Sequence, residues 1–142
     1  MNAAAPRPTP WHLWVVAILT LLWNGSGAAT IAMAQMGRRL DMDPHEVAYY
    51  ANQPRWFVLT TDLATLLPIA AGAALLLRSR FAVWLFALSL VLIVANNAYD
   101  VATGTSLTLV DRGWRGVTFV IALIALAQFG YGWMMKKRGL LQ

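Results

Sequence analysis

The sequence contains no cysteine, so disulfides, thiolate metal sites and cysteine nucleophiles are all excluded. Charge is scarce as well. Only 12% of the 142 residues are Asp, Glu, Lys or Arg, roughly half the fraction usual in a soluble domain. Acidic residues number six and histidines two, leaving little from which to build acid–base or metal chemistry. No Ser-His-Asp set, metal triad or phosphate-binding loop can be picked out, so an enzyme is the weakest functional reading. No motif implies a cofactor, and no internal repeat is evident.

What the chain has in abundance is apolar surface. Hydrophobic residues make up 59%, seven of the aromatics are Trp, and mean hydropathy is +0.57. A water-soluble globule is the losing hypothesis. The formal charge of +5, from eleven Lys and Arg, reads as charge flanking membrane segments rather than a nucleic-acid patch. The expected partner is a lipid bilayer, with no role for nucleic acid.

Four apolar stretches dominate: Trp11 to about Met36, Trp56 to Leu77, Phe81 to Val101, and Val117 to Met135. Each has at least about 19 residues, enough to cross a hydrocarbon core of roughly 30 Å at 1.5 Å per residue. Lipid offers backbone amides no partners, so the stretches should be helices. The expected fold is an all-α membrane protein: a single antiparallel four-helix domain over residues 1–142, of which residues 1–10 form a Pro-rich tail. The start resembles a secretory signal, but apolar character runs on to Met36, so a retained helix is expected.

Basic residues set the orientation. Arg7, Arg78, Arg80, Lys136, Lys137 and Arg138 fall on one side without an acidic residue among them. On the other, Arg38, Arg39, Arg55, Arg112 and Arg115 mix with Asp41, Asp43, Glu46 and Asp111. Both termini are therefore expected in the cytoplasm of a bacterium, with the chain multi-pass in the inner membrane. Trp11, Trp14, Trp84 and Trp133 then lie at the inner interface, and Trp56 and Trp114 at the outer one, as an aromatic belt requires. Trp23 alone is mid-span, where it reads as a packing residue between helices. His12 sits at the inner headgroup level, with no second histidine at that depth to suggest haem or general-base chemistry.

The connection from Gly37 to Arg55 carries a local helix signal. Asp43 suits an N-cap, Pro44 the first helical position and Glu46 the capping box. A short interfacial helix over Pro44–Asn52 is expected, with Val47, Tyr50 and Ala51 toward the membrane surface. His45 with Asp41, Asp43 and Glu46 could be taken for a metal cluster, but capping accounts for Asp43 and Glu46. The connection from Ala102 to Gly116 alternates polar and apolar over Thr105–Val110, which suits an extended segment across the bundle mouth.

Polar residues within the spans share one depth. Asn24, Ser26, Thr30 and Gln35 fall in the outer part of the first span, Thr60, Thr61, Asp62 and Thr65 in that of the second. Asn96, Asn97 and Asp100 do so in the third. Helical spacing puts Ser89, Asn96 and Asp100 on one face, Asp62, Thr65, Ile69 and Gly72 on another, and Thr20, Asn24, Gly27, Ile31 and Gln35 on a third. Turned inward, these stripes would surround a polar cavity in the outer leaflet half. The candidate ligand-binding residues are Asn24, Asp62, Thr65, Asn96, Asn97 and Asp100, with Asp62 as the deepest charge. A carboxylate at that depth needs a partner, for which Arg55 and Arg115 are the candidates. Asp100, at a span end, reads as solvated or paired with Arg112. Pro68 removes the amide that would satisfy the Ala64 carbonyl, so a bend is expected there, with Thr65 helping to re-satisfy the backbone.

The stretch Leu21-Leu22-Trp23-Asn24-Gly25-Ser26-Gly27-Ala28, followed by Gln53-Pro54-Arg55-Trp56 and Leu75-Leu76-Leu77-Arg78-Ser79-Arg80, resembles a group of small four-span bacterial inner-membrane proteins. That group has a Leu-Trp-Asn motif in its first helix and is sometimes labelled "sugar transporter". The resemblance implies the four-span architecture. Where the group has an acidic-aromatic pair after the motif, this chain has Ala29-Thr30.

Two functional readings follow. In the first, the cavity binds or transports a small polar or amphiphilic molecule. In the second, the chain is an accessory or assembly subunit of a larger membrane complex, or a homo-oligomer, held by small-residue rows such as Gly25, Ala29 and Ala32.

Overall fold

The computed structural model describes residues 9–38, 44–104 and 112–142. Five helices occur among them: α1 (Trp11–Gln35), α2 (Pro44–Asn52), α3 (Arg55–Leu76), α4 (Phe81–Thr103) and α5 (Arg112–Lys137). Four are long and apolar enough to cross a membrane, so the fold is an all-α bundle and the chain a multi-pass membrane protein. The short helix α2 occupies Pro44–Asn52, as its proline start suggests. The expected Asp43 cap, the Pro-rich tail over residues 1–8 and the extended segment over 105–110 lie outside the described residues.

One boundary differs from the hydropathy reading. Helix α5 begins at Arg112, five residues before Val117, where the apolar run of the sequence begins. Hydropathy marks the part of a helix that sits in lipid. Extending an existing helix by a turn costs little, whatever the polarity of the residues added.

The four long helices stand in a row. Helix α1 packs on α3, α3 on α4 and α4 on α5, while the two ends of the row, α1 and α5, approach each other only marginally. The α1–α3 seam closes around Gly72, where an added Cβ would lie 3.1 Å from the Leu21 side chain. Thr20 is buried at the same contact. Small residues at such a crossing let two backbones approach closely, which is the main source of helix association in lipid.

The core lies toward one end of the bundle, the end that holds residue 11 and the α3–α4 turn. Leu13, Ala17, Leu75, Val83, Phe86 and Met135 are buried there, and Leu140 and Leu141 fold back beneath them. The chain after α5 then pairs with the turn. The Gln142 amide donates to the Arg78 carbonyl at 2.7 Å, the Arg80 amide donates to the Gln142 main-chain oxygen at 2.9 Å, and Arg78 Nε donates to the Leu140 carbonyl at 3.2 Å.

Three helix ends close in the same way, with crossed amide bonds around a left-handed residue. Gly37 at φ 64° ends α1, Gly139 at φ 68° ends α5, and Arg78 at φ 57° ends α3. An arginine in that conformation costs about 1 kcal/mol more than glycine would. Its side-chain bond to Leu140 and the bond its carbonyl accepts from Gln142 are the compensation visible in the fold.

Pro68 lies inside α3, and the carbonyl it leaves without an amide is that of Ala64. Ser89 of α4, itself buried, donates its hydroxyl to that oxygen at 2.7 Å. The expected helper, Thr65, instead donates to the Thr61 carbonyl at 2.8 Å. The repair comes from the neighbouring helix.

Aromatic rings mark both ends. Near the core end, Lys136 Nζ lies 5.2 Å from the Trp84 ring and 5.4 Å from that of Trp133. At the other end, hereafter the α2 end, Trp56 and Tyr99 pack edge-on at 4.7 Å.

Candidate functional site

At the core end α1 and α5 are tied together: His12 Nδ1 and the Tyr131 hydroxyl lie 2.7 Å apart. Away from that bond the two helices leave a gap. A cavity of about 740 Å³ occupies it, reached by Trp23, Asn24, Ile31 and Gln35 of α1 and by Val117, Val120 and Ile121 of α5. From α1 it is lined by four of the five residues of the expected stripe, Asn24, Gly27, Ile31 and Gln35, and also by Ser26 and Thr30; the fifth, Thr20, is buried against Gly72 of α3 instead. Trp23 also borders the cavity and is half exposed, so it is not the interhelical packing residue its mid-span position suggests.

Helix α4 contributes Asn96, Asn97 and Asp100. Asn96 is a clamp between helices: its Oδ1 accepts from Thr60 Oγ1 at 2.9 Å and its Nδ2 donates to Thr61 Oγ1 at 3.0 Å. Asn97, one residue on and about 100° round the helix, takes no hydrogen-bond partner among the described residues and presents its amide to the cavity. Asn24 lines the cavity too, while its Nδ2 donates back to the Thr20 carbonyl at 2.8 Å.

Asp100 is part-exposed and accepts a 2.9 Å hydrogen bond at Oδ2 from the Tyr49 hydroxyl of α2, a partner the spacing did not indicate. The Arg112 side chain lies outside the described residues. Tyr49 is buried, and burial first, then the adjacent Asp100 carboxylate, pushes its phenol well above the ordinary value. It therefore stays protonated and serves as a donor.

Asp62 is also placed differently. It does not line the cavity; its Oδ1 accepts from Gln35 Nε2 of α1 at 2.8 Å. The partner is thus a neutral amide rather than Arg55, and the Arg115 side chain lies outside the described residues. Of the expected stripe of Asp62, Thr65, Ile69 and Gly72, Asp62 and Gly72 meet α1, through Gln35 and Leu21. The cavity instead receives Phe57, Thr61, Ala64 and Thr65 from α3. Thr65 alone belongs to both sets, and Asp62 reaches the cavity only through Gln35.

Helix α2 closes the cavity over with Tyr49 and Tyr50. Val47, Tyr50 and Ala51, expected to face the membrane surface, border a smaller hollow against Ala34, Gln35 and Val58. The two tyrosines and Gln53 are functional candidates that spacing alone did not single out. The available signal was Asp100 itself, a carboxylate at a span end requiring a donor, with phenols in the preceding connection. Among the described residues, no three His, Asp or Glu side chains gather as a ligand set for a metal.

Searches against family models, curated proteins and solved structures find no match for this chain.

Proposed function

We propose that this protein resides in a bacterial inner membrane with both termini in the cytoplasm, placing the α2 end outside, and binds a small polar or amphiphilic molecule in its cavity. Binding would be the first step of carrying that molecule. The resemblance at Leu21–Ala28 to small four-span inner-membrane proteins is compatible with this assignment.

One observation supports the reading above the rest. Polar side chains of α1, α3 and α4 converge on a single hollow of about 740 Å³ at the α2 end, while the opposite end is filled by apolar side chains. Polar groups inside a span are costly, and a chain with no use for a hollow lowers its free energy by filling it. The volume lies within the range of small-molecule sites, roughly 300–1,000 Å³. Asn97 and Asp100 offer directed hydrogen bonding beside apolar side chains such as Ile31, Phe57, Ile93 and Val120, the combination that orients a ligand in such a site.

The test is a cavity-filling variant, Asn97→Trp, compared with the parent by native mass spectrometry after purification in mild detergent. The parent is expected to retain a small-molecule adduct that the variant loses. Equal adducts on both, with both proteins folded, would sink the proposal.

A further inference from the structure

The chemistry of the lining narrows the ligand, granted the cavity-binding function proposed above. Asp100 is the one ionisable carboxylate in the lining, and no Lys, Arg or His side chain accompanies it among the described residues. Its Oδ2 is taken by Tyr49, while Oδ1 has no hydrogen-bond partner among the described residues. A carboxylate partly withdrawn from water favours a compensating positive charge. The single bond from Tyr49 supplies a dipole but no charge.

Tyr49, bonded to Asp100, has its ring 5.3 Å from that of Tyr50, and both line the cavity together with Phe57. Ring faces attract cations, and the attraction grows where water is excluded. Asn97 adds an amide whose carbonyl can accept from an N–H donor. The polar end of the cavity thus offers a negative charge, aromatic faces and acceptors.

The other end of the hollow differs. It runs into the gap between α1 and α5, where Trp23, Ile31, Val120 and Ile121 offer apolar surface among the small polar side chains of Ser26, Thr30 and Thr118. Because α1 and α5 are bonded through His12 and Tyr131 at the core end and approach only marginally elsewhere, the gap opens sideways toward lipid. A ligand can therefore place a tail in the gap while its head stays at Asp100.

We infer that the cavity takes a monocationic amphiphile, an ammonium or similar organic cation with one apolar tail, whose head pairs with Asp100 among Tyr49, Tyr50 and Phe57. The tail lies between the outer halves of α1 and α5, and entry is lateral, from the outer leaflet.

The test uses the full chain in phosphatidylcholine nanodiscs and three probes with the same tail: decyltrimethylammonium, decyl sulfate and decyl glucoside. Binding is read by titration calorimetry, with empty nanodiscs subtracted. The cation is expected to bind the parent at least about tenfold more tightly than the anion, and Asp100→Asn is expected to weaken the cation by about tenfold while leaving the glucoside within about twofold. Tyr49→Phe removes the hydrogen bond but keeps the charge, so that variant should retain the preference for the cation. This separates loss of charge from displacement of α2.

Equal affinity for all three probes, unchanged by Asp100→Asn but abolished by Asn97→Trp, would overturn the cationic assignment and leave the cavity-binding proposal standing. Preference for decyl sulfate would overturn it as well. Failure of every probe to bind the parent would overturn it too, and retention of an adduct lost in Asn97→Trp would then show that the cavity holds something else.

Discussion

Ser89 on α4 donates a 2.7 Å hydrogen bond to the carbonyl oxygen of Ala64 on α3, the acceptor that Pro68 deprives of its own helix's amide. One residue creates the vacancy and another, on a different helix, fills it. Removing the hydroxyl in Ser89→Ala should destabilise the bundle by about 1–2 kcal/mol, toward the upper end for membrane hydrogen bonds. Pro68→Ala restores the amide, so the same Ser89→Ala change in that background should cost clearly less. Denaturant titration of the four proteins of this cycle measures the difference, and equal costs in both backgrounds would refute the coupling.

The Gly72 contact predicts a graded response. A Cβ at position 72 would lie 3.1 Å from Leu21 and 3.2 Å from Thr20, so Gly72→Ala requires a small adjustment and Gly72→Leu a separation of α1 from α3. The first should cost about 1 kcal/mol and the second about 3 kcal/mol or loss of folding. Gly25, with nothing near its added Cβ, should tolerate alanine. Thermal unfolding in detergent ranks the three.

Tyr49 predicts a response to alkali. Its phenol is raised in the fold by burial and by Asp100, so the native state holds its proton where the unfolded state releases it. The stabilisation is therefore complete below pH about 10, the ordinary phenol value, and is lost as pH rises above it. Hydrogen exchange over α2 should accelerate above that pH in the parent. Tyr49→Phe should show weaker protection of α2 throughout and a flatter response above pH about 10.

Arg78 predicts an order between two variants. Arg78→Ala keeps the left-handed strain and loses the Leu140 bond, whereas Arg78→Gly loses the bond but relieves the strain. Glycine should be less harmful than alanine by about 1 kcal/mol. An alanine variant as stable as the glycine variant would show that the left-handed turn carries no cost.

The proposed orientation is checked by reporters fused at either end. Fluorescent proteins that fold only in the cytoplasm should light at both ends, and an external phosphatase reporter should stay inactive at both.

The helices were legible because each span is a predominantly apolar run, about 19 residues or longer, with few charges inside it. α5 shows the limit. Its first turn, from Arg112, is polar, and no hydropathy pattern extends a helix past the lipid boundary. The stripe on α1 was legible in its outer part, since Asn24, Gly27, Ile31 and Gln35 do line the cavity, while Thr20 at its inner end packs on Gly72. On α3 the choice of face failed: Thr61 and Asp62 are adjacent, about 100° apart, and the charge of Asp62 drew the reading to the face that packs on α1. Periodicity says which residues share a face, but not which neighbour that face meets. The Tyr49–Asp100 bond was beyond such reading, because it joins residues 51 apart in sequence through a connection whose path periodicity does not determine.

The His12–Tyr131 bond joins the first and last long helices at one end alone, like the rivet of a pair of tongs. Beyond that point the spread of the jaws is set through the α4–α5 seam, so a substitution on α4 that shifts α5 would widen or narrow the hollow without touching any residue of α1.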